Sequence, residues 1–224
     1  MNFDDIFARC AASATARQLG LGDLLGERSW AVDIGAGTAT FDDLKYRIQL
    51  LGTEAESDNS WLWAWANEAS GLPDVVLSGS RRLRAFGAER GLDMLAKRTF
   101  SLGKLSGHQV AMVCSTLLGN VPYYRGPYDG GALYFTLEGV PLPPVDGDRI
   151  VTVLSQVITT FEIDHRLATQ SFLSDLGFAI TASPTRLDAA APSGTTVSVE
   201  FDTLGRLANL DVSAGDQPTK SLQG

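Results

Sequence analysis

Cysteine and histidine are scarce in this chain, which limits the chemistry that it can carry. Only two of each occur among 224 residues, and neither pair has the close spacing of zinc ligands. Cys10 and Cys114 lie among apolar residues of predicted helices, so we expect two buried free thiols rather than a disulfide. We therefore predict no metal site and no cofactor, and a reducing cytoplasm as the location.

Long apolar runs and an excess of basic residues are also missing. The longest apolar stretch, Ile150 to Ile158, is interrupted by polar residues and is far shorter than the roughly 20 residues that span a bilayer. The first residues, MNFDDIFARC, are acidic where a secretion signal is basic. The formal charge of −8 repels phosphate backbones. We expect no nucleic-acid or membrane partner, whereas a small-molecule or protein partner stays open, as does the oligomeric state.

The order of hydrophobic patterns predicts an α+β fold in a single domain, 1–224. A first helix is expected to begin at Asn2, whose side chain can cap it. From Ser29 the apolar period changes to two, which predicts up to four antiparallel strands. The last of these strands is the segment WLWAWAN, which we place at the centre of the sheet because both of its faces avoid water.

The second half of the chain predicts more helices and a second set of strands. Helices are expected at 73–90 and 107–118, followed by a hairpin in VPYYRGPYDGGALYFTLE. The Pro-rich stretch near 140–146 is the best candidate for a sub-domain joint, and an amphipathic helix whose apolar stripe includes Phe161 follows it. Asp164 is predicted to cap the next helix, and the chain closes in a C-terminal β meander.

The most distinctive segment is WLWAWAN, which holds three of the four tryptophans. Alternation along a strand predicts that Trp61, Trp63 and Trp65 share one face of the sheet. Such a row of indoles can be a thick core packed under helices. It can equally line a ligand groove with Asn67 at its rim. The spacing is compatible with both interpretations.

A second aromatic segment, YYRGPYDGG, combines hydrogen-bonding rings with a charged pair beside two glycines. It is a candidate recognition loop for a planar or anionic ligand, through Tyr123, Tyr124, Arg125, Tyr128 and Asp129. In the alternative interpretation, Arg125 and Asp129 pair across the turn and the tyrosines pack at the edge of the sheet.

Two further segments could carry chemistry. Glu162, Asp164 and His165 form an acidic cluster with a histidine at a helix start, where acid–base catalysis and a solvated helix end are both possible. DIGAGT, at 33–38, is similar to the phosphate loop of the actin and sugar-kinase ATPases. The second acidic loop and the adenosine-binding glycine motif of those enzymes are not in view, so we interpret 33–38 as a hairpin turn.

Taken together, WLWAWAN, SWAVDIGAGTATF, QLLGTE and YYRGPYDGG resemble a bacterial protein family described only as a domain of unknown function. The resemblance extends through DHRLATQSFLSDLGF to VEFDTLGRL, which is nearly the whole chain. It implies a bacterial, cytoplasmic protein, and it brings no activity, cofactor or catalytic residue.

The function that these patterns favour is a non-enzymatic ligand-binding or protein-interaction module. Its surface would join the tryptophan strand to the segment YYRGPYDGG. The alternative is a small-molecule hydrolase or transferase that uses Glu162, Asp164 or His165. The two interpretations differ in whether those three side chains converge in a pocket.

Overall fold

A computed structural model describes residues 2–214 of the chain. The chain divides into two compact units, 1–143 and 144–224, and the division falls inside the stretch 140–146 that the sequence marks as a joint. Within the described residues, six α-helices accompany two antiparallel sheets, which confirms the predicted α+β class. That the chain is a single domain stays a prediction.

The first unit holds four α-helices and a seven-stranded sheet. The helices are α1 (Phe3–Leu25), α2 (Ser78–Arg90), α3 (Asp93–Ala96) and α4 (Gly107–Leu117). The strands are β1 (Trp30–Asp33), β2 (Thr38–Phe41), β3 (Leu44–Ala55), β4 (Ser60–Trp63), β5 (Thr99–Ser101), β6 (Tyr123–Tyr128) and β7 (Gly131–Glu138). Three short 3-10 helices, Ala64–Ala66, Glu68–Ser70 and Asp74–Val76, lie between β4 and α2.

Helix starts follow the caps that the sequence offers. Oδ1 of Asn2 accepts a hydrogen bond from the backbone N of Asp5 at 2.8 Å, so α1 begins as predicted. Ser106 caps α4 in the same way. The predicted start of α2 at Pro73 is wrong, because the 3-10 turn Asp74–Val76 uses that proline and the α-helix begins only at Ser78.

The long strand β3 organises the sheet. Its first residues pair with β2 and its last residues with β4, while β7 pairs along its other edge and β6 pairs with β7. The two-residue turn 129–130 joins β6 to β7, so the predicted hairpin is confirmed as a tight one. A shift of register between Leu50 and Gly52 marks a bulge at the point where β4 takes over from β2.

The predicted placement of all three tryptophans on one strand is wrong. β4 ends at Trp63, and Trp65 lies in the following 3-10 helix. Towards the start of β3 the neighbouring strand is β2, and N of Ile48 donates to the carbonyl of Gly37 at 3.0 Å. The edge of β3 that a longer β4 would follow is therefore shared with the β1–β2 hairpin.

The two faces of the sheet bury different side chains. One face carries Trp61, Trp63 and Tyr134, and α4 packs near it, since a side-chain carbon at Gly107 would lie 2.7 Å from the ring of Tyr134. The opposite face is aliphatic and aromatic, and its core includes Phe41, Ile48, Leu50, Phe135 and Leu137. Both faces of the sheet therefore carry core residues.

The second unit consists of two helices and a four-stranded meander. Its elements are α5 (Gly147–Thr160), α6 (His165–Asp175), β8 (Ala179–Ala182), β9 (Arg186–Ala190), β10 (Thr196–Phe201) and β11 (Leu207–Ser213). Asp164 caps α6, as predicted. Phe161 does not continue the stripe of α5, because the helix ends at Thr160 and Phe161 is extended and only half-buried. Among residues 2–214, every helix is too short or too polar to cross a membrane.

Candidate functional site

Two of the clustered tryptophans are core residues. Trp61 and Trp63 are 0% exposed and meet edge to face, with ring centroids 5.5 Å apart. Nε1 of Trp63 donates to the carbonyl of Met94 at 2.9 Å. Trp65 is half-buried, and the guanidinium of Arg84 lies 4.3 Å from its ring centroid. Of the two interpretations of Trp61 and Trp63, the structure shows the packed core, not the groove.

A pocket of about 450 Å³ lies on the other face of the sheet, behind the tryptophans. Its floor is a row of three neighbouring side chains on adjacent strands, since Thr53 pairs with Leu62 on β4 and with Leu133 on β7. The residues that line the pocket are Ile34, Leu50, Gly52, Thr53, Leu62, Ala64, Asn67, Ser70, Gly71, Leu72, Pro73, Tyr128 and Leu133. A volume of this size is ordinary for a small-molecule pocket.

This pocket lies where the sequence places the binding surface, but it uses other side chains. Of the nine predicted ligand-binding residues, Asn67 and Tyr128 line it. The tryptophan strand contributes Leu62, which points away from the indoles. Tyr128, at the end of β6, is 51% exposed. β4 and the β6–β7 hairpin therefore line the same cavity, and β4 does so through Leu62 on the face opposite Trp61 and Trp63.

The wall of the pocket is the segment 67–73, and salt bridges hold it at both ends. Nη1 of Arg98 lies 2.8 Å from Oε1 of Glu68, and the same guanidinium donates to the carbonyl of Ala66 at 3.0 Å. At the other end, Nη2 of Arg81 lies 2.7 Å from Oδ1 of Asp74. Glu68 in the wall and Asp74 beside it are thus paired with arginines, and none of the residues that line the pocket is charged.

Four polar side chains of the lining have hydrogen-bonding capacity that the protein does not use. Within residues 2–214, the side chains of Thr53, Asn67, Ser70 and Tyr128 make no hydrogen bond with another protein group. Three of these are hydroxyls, and the fourth is an amide that both donates and accepts. Ser70 and Tyr128 are exposed and Thr53 and Asn67 are half-buried, so all four can bond to water and can exchange that water for a bound molecule.

A separate polar network lies on the tryptophan face of the sheet. The buried hydroxyl of Tyr134 donates to Oε2 of Glu54 at 2.7 Å, and N of Gly107, the first residue of α4, donates to Oε1 at 3.4 Å. Nδ1 of His108 lies 3.1 Å from the hydroxyl of Tyr123. Burial holds the pKa of Tyr123 well above its ordinary value, and burial followed by the bond to Glu54 does the same for Tyr134.

The remaining residues of the predicted recognition loop diverge. Arg125 does not pair with Asp129 in the described residues, because its guanidinium faces Glu56 across 3.9 Å. Tyr124 packs into the aliphatic core, with its ring centroid 4.9 Å from that of Phe41, and burial raises its pKa. Asp129 is exposed in the turn. Alternation along β6 explains the divergence, since successive side chains point to opposite faces.

The residues of the enzymatic alternative are used by the fold of the second unit. Oδ1 of Asp164 accepts the helix-capping bond from N of Leu167 at 2.8 Å. Nδ1 of His165 accepts a hydrogen bond from N of Leu207 at 3.1 Å, which places the proton of the neutral ring on Nε2. Glu162 is exposed. The three side chains therefore have separate surroundings and do not line a pocket described above.

The segment 33–38 forms a turn, as expected. It joins β1 to β2, and Oδ1 of Asp33 accepts a hydrogen bond from N of Ala36 at 2.9 Å. Gly37 has a φ of 66°, a conformation that glycine adopts without strain. The aspartate is therefore engaged with its own turn.

Comparison with protein families gives one match, to a family of unknown function, DUF6882, over residues 4–140. The chain belongs to this family. The match covers the first unit, whereas the resemblance of the later segments, DHRLATQSFLSDLGF and VEFDTLGRL, stays a prediction. A comparison with curated proteins finds no match, and a comparison with solved structures finds none either.

Every residue that lines the pocket lies inside the part of the chain that matches DUF6882. Sequence reasoning missed most of these residues. Thr53, Ser70 and Leu133 carry no motif of their own, and only the topology brings them together. One signal was available in the segment WLWAWAN, where the residues between the tryptophans, Leu62 and Ala64, have smaller side chains.

Proposed function

We propose that this member of DUF6882 is a non-enzymatic ligand-binding module, and that the pocket beside β4 is its binding site. The observation that carries the proposal is the lining, which combines five aliphatic side chains of isoleucine and leucine with four polar groups that have no protein partner in residues 2–214. Small-molecule sites typically have this composition, with a mostly apolar wall and a few directional polar groups.

The lining favours binding over catalysis. It contains no histidine, cysteine, carboxylate or amine, so no general base is available there to activate the hydroxyls of Thr53 and Ser70. Glu54 and His108, which could act as acid or base, belong to the network on the other face of the sheet. A protein partner is the second possibility for a binding module, but a concave cavity fits a small molecule better.

We further propose that the protein works in the bacterial cytoplasm. Cys10 and Cys114 are both buried thiols outside any disulfide, which suits a compartment that keeps thiols reduced. The formal charge of −8 supports partners other than nucleic acid or membrane surfaces.

The pocket can be tested with an uncharged fluorophore, N-phenyl-1-naphthylamine, which brightens in apolar surroundings. We expect saturable binding to the full chain. Thr53→Phe should abolish it, because the new ring would occupy the floor between Leu62 and Leu133. Thr38→Phe is the matched control, since Thr38 is also half-buried on a strand but does not line the pocket.

Circular dichroism of both variants must show that each one is folded. Equal fluorophore affinity for folded Thr53→Phe and the unaltered protein would refute the proposal, and so would an absence of saturable binding to the unaltered protein.

A further inference from the structure

The charge of helix α2 is opposite in sign to that of the whole chain. The chain carries a formal charge of −8, whereas α2, from Ser78 to Arg90, holds four arginines and one acidic residue, Glu89. All four arginines are exposed to solvent. A local excess of positive charge on an acidic protein attracts anionic groups to this helix.

Three of the four arginines have no carboxylate partner. Arg81 pairs with Asp74 at the end of the pocket wall. Within residues 2–214, the guanidinium groups of Arg82, Arg84 and Arg90 form neither an ion pair nor a hydrogen bond. The acidic residues that flank α2 in the sequence are already paired, in Glu68–Arg98, Asp74–Arg81 and Asp93–Lys97.

Two of the three unpaired guanidinium groups are held against aromatic rings. Cζ of Arg84 lies 4.3 Å from the ring centroid of Trp65, and Cζ of Arg90 lies 5.3 Å from that of Phe86. Stacking uses the face of the planar guanidinium and leaves the N–H donors at its edge open to solvent. Both groups are therefore positioned to bind a carboxylate, with less side-chain entropy left to lose.

The unpaired arginines lie on both flanks of the exposed face of α2. Arg82, Phe86 and Arg90 follow one another at intervals of four, so they form a row along the helix. Arg84 is two residues from Arg82, which turns it about 200° around the helix axis and places it on the other flank. Ala85, which is small and exposed, lies between the flanks. A segment that lies lengthwise over this alanine meets guanidinium groups on either side.

The length of the basic face limits the kind of partner that it fits. α2 has 13 residues, so it is about 20 Å long. A nucleic-acid strand or an anionic bilayer extends well beyond that length, and its further phosphates would meet a protein of net negative charge. A short peptide segment with a few Asp or Glu residues ends where the basic face ends, and its carboxylates match the planar fork of arginine.

We propose that the exposed face of α2 docks a short acidic segment of a protein partner, and that Arg82, Arg84 and Arg90 bind its carboxylates. This face is separate from the pocket, whose lining includes no residue of α2. The inference therefore goes beyond the proposed function and does not depend on it.

The probe is a peptide of alternating glutamate and alanine that has the length of α2 and carries an uncharged fluorophore. Its fluorescence anisotropy is measured as the full chain is added at neutral pH and low ionic strength. We expect saturable binding that weakens as salt is added, because exposed charges are screened. The same peptide with glutamine in place of glutamate should not bind.

The combined variant Arg82→Gln, Arg84→Gln and Arg90→Gln should weaken peptide binding about tenfold, which is the joint effect of three exposed ion pairs of ordinary strength. Arg81 is left unaltered because its pair with Asp74 holds the pocket wall. The single variant Arg84→Lys keeps the charge and loses the planar fork that stacks on the ring, so it should weaken binding about threefold.

The matched control is the combined variant Lys45→Gln, Arg47→Gln and Lys104→Gln. It removes the same charge from three other exposed residues and leaves α2 intact. It should bind the peptide as tightly as the unaltered chain does. Circular dichroism must show that every variant is folded.

Equal losses of affinity in the two combined variants would show that the peptide responds to total charge, and would overturn the proposal. An absence of saturable peptide binding to the unaltered chain would overturn it as well. So would tighter binding to oligothymidylate or to phosphatidylserine vesicles than to the peptide, because α2 would then fit another class of partner. If Arg84→Lys binds as tightly as the unaltered chain, the stacked arginine has no special role.

Discussion

Tyr134→Phe tests the hydrogen bond between Tyr134 and Glu54 on the tryptophan face of the sheet. Tyr134 is 0% exposed, and its ring packs on Trp61 with the centroids 5.2 Å apart. The substitution keeps the ring and removes only the hydroxyl that donates to Glu54 at 2.7 Å. No large cavity is created, so any loss of stability reports the polar contact.

The structure sets the size of the expected loss. A hydrogen bond to a charged group contributes roughly 1.5–3 kcal/mol to stability. Glu54 is only half-buried and keeps its contact with N of Gly107, so water can replace part of what is lost. We therefore expect Tyr134→Phe to lower the free energy of unfolding by about 1.5 kcal/mol, the low end of that range.

The assay is a double-mutant cycle in urea, followed by the fluorescence of the buried tryptophans. Tyr134→Phe, Glu54→Gln and the double variant are compared with the unaltered chain, and the coupling between the two residues should be about 1 kcal/mol. Tyr128→Phe is the control, since it removes an exposed hydroxyl without a protein partner in residues 2–214. If Tyr134→Phe lowers the free energy of unfolding by the same amount in the unaltered chain and in Glu54→Gln, the hydrogen bond between the two side chains does not contribute to stability.

Three further predictions concern other parts of the first unit. Gly52→Ala should lower the free energy of unfolding by about 1–3 kcal/mol, because the added carbon would lie 2.5 Å from the carbonyl oxygen of Leu62 on the neighbouring strand. Gly35→Ala, with no contact nearer than 3.4 Å, is its control, and equal urea midpoints for the two variants would contradict this packing. Cys10 and Cys114 should react with a thiol reagent far more slowly in the native protein than in denaturant, because both are buried. Burial, and to a smaller extent the nearby Cys10, also raises the pKa of Cys114 well above its usual range. A native labelling rate that matches the denatured one would show this to be wrong. Burial, followed by the charge of a nearby arginine, lowers the pKa of His108 from 6.5. The unfolded chain therefore takes up this proton first as the pH falls through 6.5, so stability should decrease more steeply below that pH in the unaltered protein than in His108→Gln. Identical pH profiles of the urea midpoint would exclude this contribution.

Local signals in the sequence predicted much of the fold because they act over a few residues. Asn2 and Asp164 begin helices by accepting bonds from backbone groups three residues away, so each cap is visible in a single turn of sequence. The tight hairpin was similarly marked by its glycines. Phe161 was misplaced because the periodicity of α5 does not show where the helix stops.

The polar network around Glu54 could not be predicted because its members come from distant segments. Tyr134 stands in an apolar strand, and its register with Gly52 on β3 is fixed by a bulge that no local pattern reveals. Gly107 looks like an ordinary helix start, yet a side-chain carbon there would lie 2.6 Å from both Oε2 of Glu54 and the hydroxyl of Tyr134. Only the assembled sheet shows that the helix must approach so closely.

The proposed pocket lies beside the tryptophan segment but on the face of the sheet opposite Trp61 and Trp63, and side-chain size explains this position. Large indoles maximise the apolar area that a strand buries, so Trp61 and Trp63 pack into the core. The same alternation places Leu62 on the opposite face, and Ala64 in the following 3-10 helix adds little side-chain volume to the pocket. The pocket therefore lies on the face of β4 that carries Leu62, while the indoles fill the core on the other face.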